Sequence, residues 1–277
     1  MNMKLLFNAV IILAAAGGVT TTSAQGCPSK VPAASLTKVG SLVMSTNPTL
    51  PPMQFVNQQG ELKGMRVELG EEIAKRLCLK PEYVRIEFSA MIPGLQAGRW
   101  DMINTGIFFT EERAKIMQMI QYENQAISIS AGKGNPLKIA ATDDLAGKTL
   151  GVELGGFEER KIKELAADLQ KRGMPTVTIR TFDNFATAYQ ALRAGQVQGV
   201  VSIDSVAKEY QDRGDFDRVL FGLYPTPVSL ALKDSTLAQA VAGVLNEMKK
   251  DGFYDRLFGR YGLAPFPTAA FAINGPK

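Results

Sequence analysis

Histidine is absent from all 277 residues of the sequence. That removes the side chain on which most neutral-pH general bases and nucleophile triads depend. Cysteine occurs only twice, at Cys27 and Cys78, and two thiols without a histidine make a poor metal site. No GxSxG elbow occurs. No dense lysine/arginine tract occurs either, and the formal net charge of +4 is mild, so a surface that tracks nucleic-acid phosphates is not expected. Beyond the N-terminal stretch, no apolar segment reaches membrane-spanning length without charges. Carboxylates are plentiful, but their spacing singles out no catalytic pair. The expectation is a chain with no cofactor, no metal, no catalytic residue and no nucleic-acid partner.

What is present begins with Lys4, an apolar stretch from Leu5 to Ala16, and the small polar run VTTTSAQG. This is the pattern of a secretory signal peptide over residues 1–24, with cleavage before Gln25. Cys27 just beyond it raises the alternative of a lipidated N-terminus, but the residues SAQG lack the aliphatic residue such a signal prefers. In an exported protein Cys27 and Cys78 can join in a disulfide; the other reading makes Cys78 a small buried hydrophobe.

Residues 25–37 read as an extended leader. After it, short strands alternate with helices: GSLVMSTN (strand), a turn-rich loop with a hairpin near Gln59-Gly60, MRVELGEEIAKRLCL (helix), EYVRIEF (strand), SAMIPGLQAGRW (short helix closed by Gly98) and DMINTGI (strand). Thr110 then opens a helix to about Met117. The alternation restarts with QAISISAG and TLGVEL as strands, a helix after Gly155-Gly156, TVTIRTF, the helix DNFATAYQALRAG, VQGVVSI and the helix DSVAKEYQDRG. The pattern predicts two similar α/β lobes with parallel strands and right-handed crossovers. VSLALKD follows as a strand. A helix then turns Leu237, Val241, Val244, Leu245 and Met248 inward, and the stretch after residue 263 shows no strong period, so loose packing is expected there.

In open α/β sheets, ligands collect beyond the carboxyl ends of strands. Three such places stand out. In NTGIFFTEERAK, Arg113 lies in the first turn of a helix, where a cation opposes the dipole. It becomes reasonable if an anion sits against its fork; the alternative is an exposed arginine paired with a glutamate. Gly106 lets backbone approach a ligand there. In GVVSIDSVAKEY, Asp204 is either a helix cap or a carboxylate able to hold an ammonium. In GVELGGFEE, Gly155 and Gly156 could offer backbone N–H groups to an anion, though this is no GxGxxG loop. Glu153 before them is a cleft acid or a surface residue. Phe88 and Phe108 are walls of a site or core.

Over roughly residues 38–260 the chain resembles the periplasmic solute-binding proteins of the polar amino-acid family, which feed ABC importers. The resemblance lies in the order of GSLVMSTNPTLPPMQF, GELKGMRVELGEEIAKRL, MIPGLQAGRWDMINTGIFFTEERAK with its T-x-x-R motif, DDLAGKTLGVELGG, ALRAGQVQGVVSID and LNEMKKDGFYDRLF. It implies the type II two-lobed α/β fold, with lobe one at 38–126 and 226–263, lobe two at 127–225, a tail at 264–277, two crossover strands and hinge closure on a ligand. It implies Arg113 as a clamp for an α-carboxylate and Asp204 as the holder of an α-ammonium, from opposite lobes. Gly106, Phe88, Leu50, Phe108, Glu153, Gly156 and Phe157 fall on its ligand-lining positions. Several depart from its usual choice: Leu50 replaces a frequent tyrosine, Phe108 a small hydroxyl residue, Gly156 and Phe157 two threonines, and Gln198 an aspartate. The implied partners are an amino-acid-like small molecule and an inner-membrane ABC permease, with the protein acting as a periplasmic monomer. Two alternatives stay open: an enzyme on this scaffold, resembling periplasmic cyclohexadienyl (arogenate/prephenate) dehydratases with Glu153 or Glu158 as acid, and a ligand sensor for a receptor.

Overall fold

The computed structural model describes residues 27–276. The signal peptide expected at 1–24 lies outside them. In chain order the elements are β1 (Ser41–Thr46), β2 (Thr49–Leu50), β3 (Gln54–Val56), β4 (Leu62–Lys63), α1 (Met65–Arg76), β5 (Lys80–Arg85), α2 (Met91–Gln96), β6 (Met102–Phe108), α3 (Glu111–Ala114) and β7 (Gln118–Gly132). There follow β8 (Thr149–Glu153), α4 (Phe157–Lys171), β9 (Thr178–Phe182), α5 (Phe185–Arg193), β10 (Gly199–Ile203), α6 (Asp204–Asp212), β11 (Phe216–Leu232), α7 (Ser235–Lys250), α8 (Phe253–Arg260) and β12 (Ile273–Asn274).

The main sheet runs β5-β1-β6-β11-β7-β10-β8-β9, with β12 added on β7. Two parallel trios, β5-β1-β6 and β10-β8-β9, form the centres of two α/β lobes. The long antiparallel strands β7 and β11 join them. The lobe-one half of β7 pairs Gln118 to Gln125 with Leu232 to Thr226, and its other half pairs Ile127 to Gly132 with Leu223 to Phe216. Register shifts flank Leu223, and Tyr224 has φ of 50°. These irregularities fall near the middle of both crossover strands.

Local chemistry explains most element starts. Thr110 caps α3 by accepting the Arg113 N–H, Asn184 caps α5, and Asp234 caps α7. All five apolar residues expected to face inward from α7 are buried. Other expectations are corrected. The α3 helix stops at Ala114 rather than near Met117. QAISISAG and VSLALKD are the ends of strands of 15 and 17 residues. In β11, Gly222, Pro225 and Pro227 read as breakers, yet they fall in its irregular stretch, where glycine and proline are tolerated. The C-terminal segment does not pack loosely. Phe271 is buried, its N–H donates to Asn246, and the Phe266 N–H donates to the Tyr254 hydroxyl. Cys27 and Cys78 form a disulfide with Cα atoms 5.5 Å apart. It ties the segment before β1 to the end of α1.

Beneath the lobe-one side of the cleft lies a buried ion pair. Nε and Nη2 of Arg66 donate to the Glu123 carboxylate in three bonds of 3.0–3.1 Å, and Nη1 donates to Gln54 Oε1 and the Thr105 carbonyl. A Cβ on Gly106 would stand 2.2 Å from Arg66 Nη1, and Gly106 has φ of 85°. Glycine is therefore required at 106 by the arginine packed on it as well as by its backbone conformation.

Candidate functional site

The cleft between the lobes lies at the carboxyl ends of β1, β6, β8 and β10. It closes on a small cavity of about 10 Å³. Lobe one contributes Leu50, Phe88, Gly106, Phe108 and Arg113, and lobe two contributes Glu153 and Phe157. These seven expected site residues meet at one place. Thr105, Glu158 and Ile203 complete the lining.

Two expected residues stand elsewhere. Gly156 is the N-cap of α4 and lines an open groove beside the cavity. Asp204 does not line the cavity. It follows Ile203 as the first residue of α6, and its carboxylate accepts from Ser128 Oγ and from the Gly222 N–H at 3.3 Å. It is not the N-cap, which is Ile203.

Arg113 is placed by its short helix. Its Nη1 donates to the Phe108 carbonyl at 2.9 Å, and its Nη2 reaches across the cleft to the Gly155 carbonyl at 3.4 Å. Its guanidinium carbon lies 5.4 Å from the Phe88 ring centre. Neutral carbonyls, not a paired glutamate, hold it. Burial lowers it to about 10, and the nearby Glu158 carboxyl opposes that shift. It is still a cation at neutral pH, desolvated and open to a carboxylate.

The facing carboxyl groups are equally unusual. Glu153 is buried and accepts from Asn47 Nδ2 at 2.7 Å, a bond between lobes. Burial, then the Glu158 and Glu87 carboxyls, push Glu153 well above the usual carboxylate range. Burial pushes Glu158 up to about 7, against the pull of its own backbone N–H, Arg113 and Arg66. The Phe108 and Phe157 rings stack across the cleft with centres 4.7 Å apart, and Asn184 donates to Glu87 at 3.2 Å. The shape is a closed cleft whose interior holds one guanidinium, two protonatable carboxyls and apolar rings.

Sequence reasoning did not single out Asn47 or Thr105 and weighed Glu158 only as an enzyme's acid. A signal for Asn47 existed, since it follows β1 at its carboxyl end, where ligands gather. Glu158 looked like an ordinary first-turn acid, and only its burial distinguishes it.

The raised Glu158 carboxyl has a measurable consequence. A folded-state value above the unfolded one means that the folded protein binds more protons between about 4.5 and 7. Its stabilising contribution is complete at low pH and is lost as pH rises through that window. Urea unfolding of the ligand-free protein from pH 5 to 8 should therefore show a steeper decline in stability than the same series on Glu158→Gln. Identical slopes would remove Glu158 as the titrating group.

Residues 42–264 match the family described as bacterial extracellular solute-binding proteins, family 3. The L-cystine-binding protein TcyJ of Escherichia coli (strain K12) is 28% identical over 219 residues, covering 77% of this chain and 79% of that protein. The solved structure of an ancestral arginine-binding protein bound to arginine is 33% identical with a TM-score of 0.74, covering 80% of this chain and 98% of that one. An ancestral amino acid-binding protein described as a precursor of cyclohexadienyl dehydratase is 30% identical with a TM-score of 0.70, covering 80% and 95%.

Proposed function

Because this chain belongs to family 3 of the bacterial extracellular solute-binding proteins, we propose that it captures an amino-acid-like zwitterion in the periplasm and presents it to an ABC permease. The observation that carries this reading is Arg113, a desolvated guanidinium held in the cleft by carbonyl oxygens of both lobes. The relatives support it, since those just described bind cystine, arginine or an amino acid by name.

In this reading the fork of Arg113 takes the ligand carboxylate. The ligand ammonium finds Glu158, which faces the same cavity, rather than Asp204, whose carboxylate is already bonded within lobe two, and Glu153 faces the ligand side chain. Closure is a hinge motion at the irregular middle of β7 and β11. The Asn47–Glu153 and Asn184–Glu87 bonds, with the Phe108–Phe157 stack, bridge the lobes in the closed form. The protein acts as a monomer after loss of residues 1–24.

A thermal-shift screen of the purified mature chain tests this. L-arginine, L-cystine, L-glutamine, L-histidine and betaines form the panel, and at least one free amino acid should raise the unfolding temperature by several degrees. No shift from any amino acid rejects the reading. A Glu153→Gln variant should lose about tenfold in affinity for cationic ligands relative to neutral ones, because a buried carboxylate strengthens opposite charge. An unchanged ranking by titration calorimetry rejects that role.

One observation favours a second reading. Glu158 beside Arg113 is a carboxyl that carries a proton near neutral pH, as a dehydratase acid must. Release of phenylpyruvate from prephenate, or phenylalanine from arogenate, would favour it; stable binding without turnover favours transport.

A further inference from the structure

The cavity between the lobes is too small to be the whole site, and it opens beside a much larger space. A groove of about 710 Å³ runs between α3 and the exposed flank of α4. Arg113 and Phe157 line both the cavity and the groove. The stacked Phe108 and Phe157 rings wall the cavity, and a ligand held by Arg113 has room to continue towards the groove that shares Arg113 and Phe157 with it.

The inner end of that groove is cationic. Arg160, one turn into α4, stands over the Phe157 ring with its guanidinium carbon 5.3 Å from the ring centre. Its charge lies close enough to Arg113 to oppose that residue's own charge. Its nearest acid is Glu112 on α3, at 3.7 Å, a loose contact between two largely exposed side chains. Lys163 lies further along the wall and is engaged by Glu159. Two guanidiniums close enough to repel one another along one groove favour two anionic groups beside them.

We propose that the groove is a subsite for a second carboxylate, so that the preferred ligand is an amino acid extended by an additional acidic group, with Arg160 reading that group. This rests on the assignment of Arg113 to the first carboxylate. The extended part of the ligand lies along the Phe157 ring, and its terminal carboxylate displaces Glu112 from Arg160.

Pairs of ligands in which one member adds a carboxylate or carboxymethyl group test this. L-glutamine is compared with γ-L-glutamylglycine, and S-methyl-L-cysteine with S-carboxymethyl-L-cysteine, by titration calorimetry on the full mature chain. The acidic member of at least one pair should bind roughly tenfold tighter or more, and Arg160→Gln should bring that ratio to within about twofold. Equal or weaker binding of both acidic members overturns the inference while leaving the amino-acid reading in place. A preference that survives Arg160→Gln overturns the role of Arg160. Binding of no member of either pair overturns both.

Discussion

In an Arg113→Ala variant, affinity for the amino-acid ligand is expected to fall by roughly a hundredfold or more, while the ligand-free protein unfolds within about 1 kcal/mol of the parent. The two effects separate for a physical reason. A bidentate guanidinium–carboxylate contact in a closed cleft is charge-assisted and shielded from water, and its loss leaves the ligand carboxylate desolvated without a partner. The fold itself has little to lose. Arg113 is a half-buried cation, and its burial works against its charge. Removing it relieves that desolvation and forfeits two bonds to carbonyl oxygens and one contact with Phe88. Arg113→Lys keeps the charge but not the planar fork, so an intermediate affinity is expected. Titration calorimetry gives the affinity, and urea unfolding without ligand gives the stability. Full ligand-induced stabilisation in Arg113→Ala would falsify the assignment of the carboxylate site.

Arg113 also shows how far the sequence alone could be read. Its mark in the sequence is a cation just beyond the carboxyl end of a strand, because α3 is a single turn in which Arg113 is also near the C-terminal end and the conflict with a helix dipole is slight. A cap and periodicity did the same for the frame: Thr110 opens a helix where its side chain accepts an N–H group, and the α7 stripe is buried as spaced. The two crossover strands came from the family resemblance, while their length was not legible from periodicity, because their pairing partners lie about a hundred residues away and β11 carries two prolines and a glycine in its irregular stretch. Periodicity reports which face is buried, not how long a strand continues past an irregularity. The site was legible as positions and not as pairings. Phe108 reads as core or wall, and Phe157 as a ligand-lining position by resemblance; only the fold stacks them on each other. Asp204 has the right residue type at a strand end, but the carboxyl groups that face Arg113 are on β8 and α4. Charge type is local information, whereas the direction of a side chain depends on what lies opposite it.

The buried pair beneath the cleft carries the largest expected change in stability. Glu123→Ala should lower the unfolding free energy by about 3–5 kcal/mol, because it leaves the Arg66 guanidinium buried with no carboxylate. Arg66 is fully enclosed, and Glu123 accepts both of its principal donors. The remaining bonds, to Gln54 and to the Thr105 carbonyl, are to neutral groups and cannot balance the charge. The effect should reach function through position rather than contact. Arg66 covers Gly106 and holds the Thr105 carbonyl, and both residues line the cavity. Saturating ligand should therefore recover part of the lost stability, by selecting the ordered floor. The double variant Arg66→Met with Glu123→Leu separates charge from packing: with no charge left to bury, it should be markedly more stable than Glu123→Ala alone. Urea unfolding of the three proteins, with and without ligand, measures each step. A Glu123→Ala variant within 1 kcal/mol of the parent would mean that water reaches Arg66, and that the floor of the cleft does not depend on this pair.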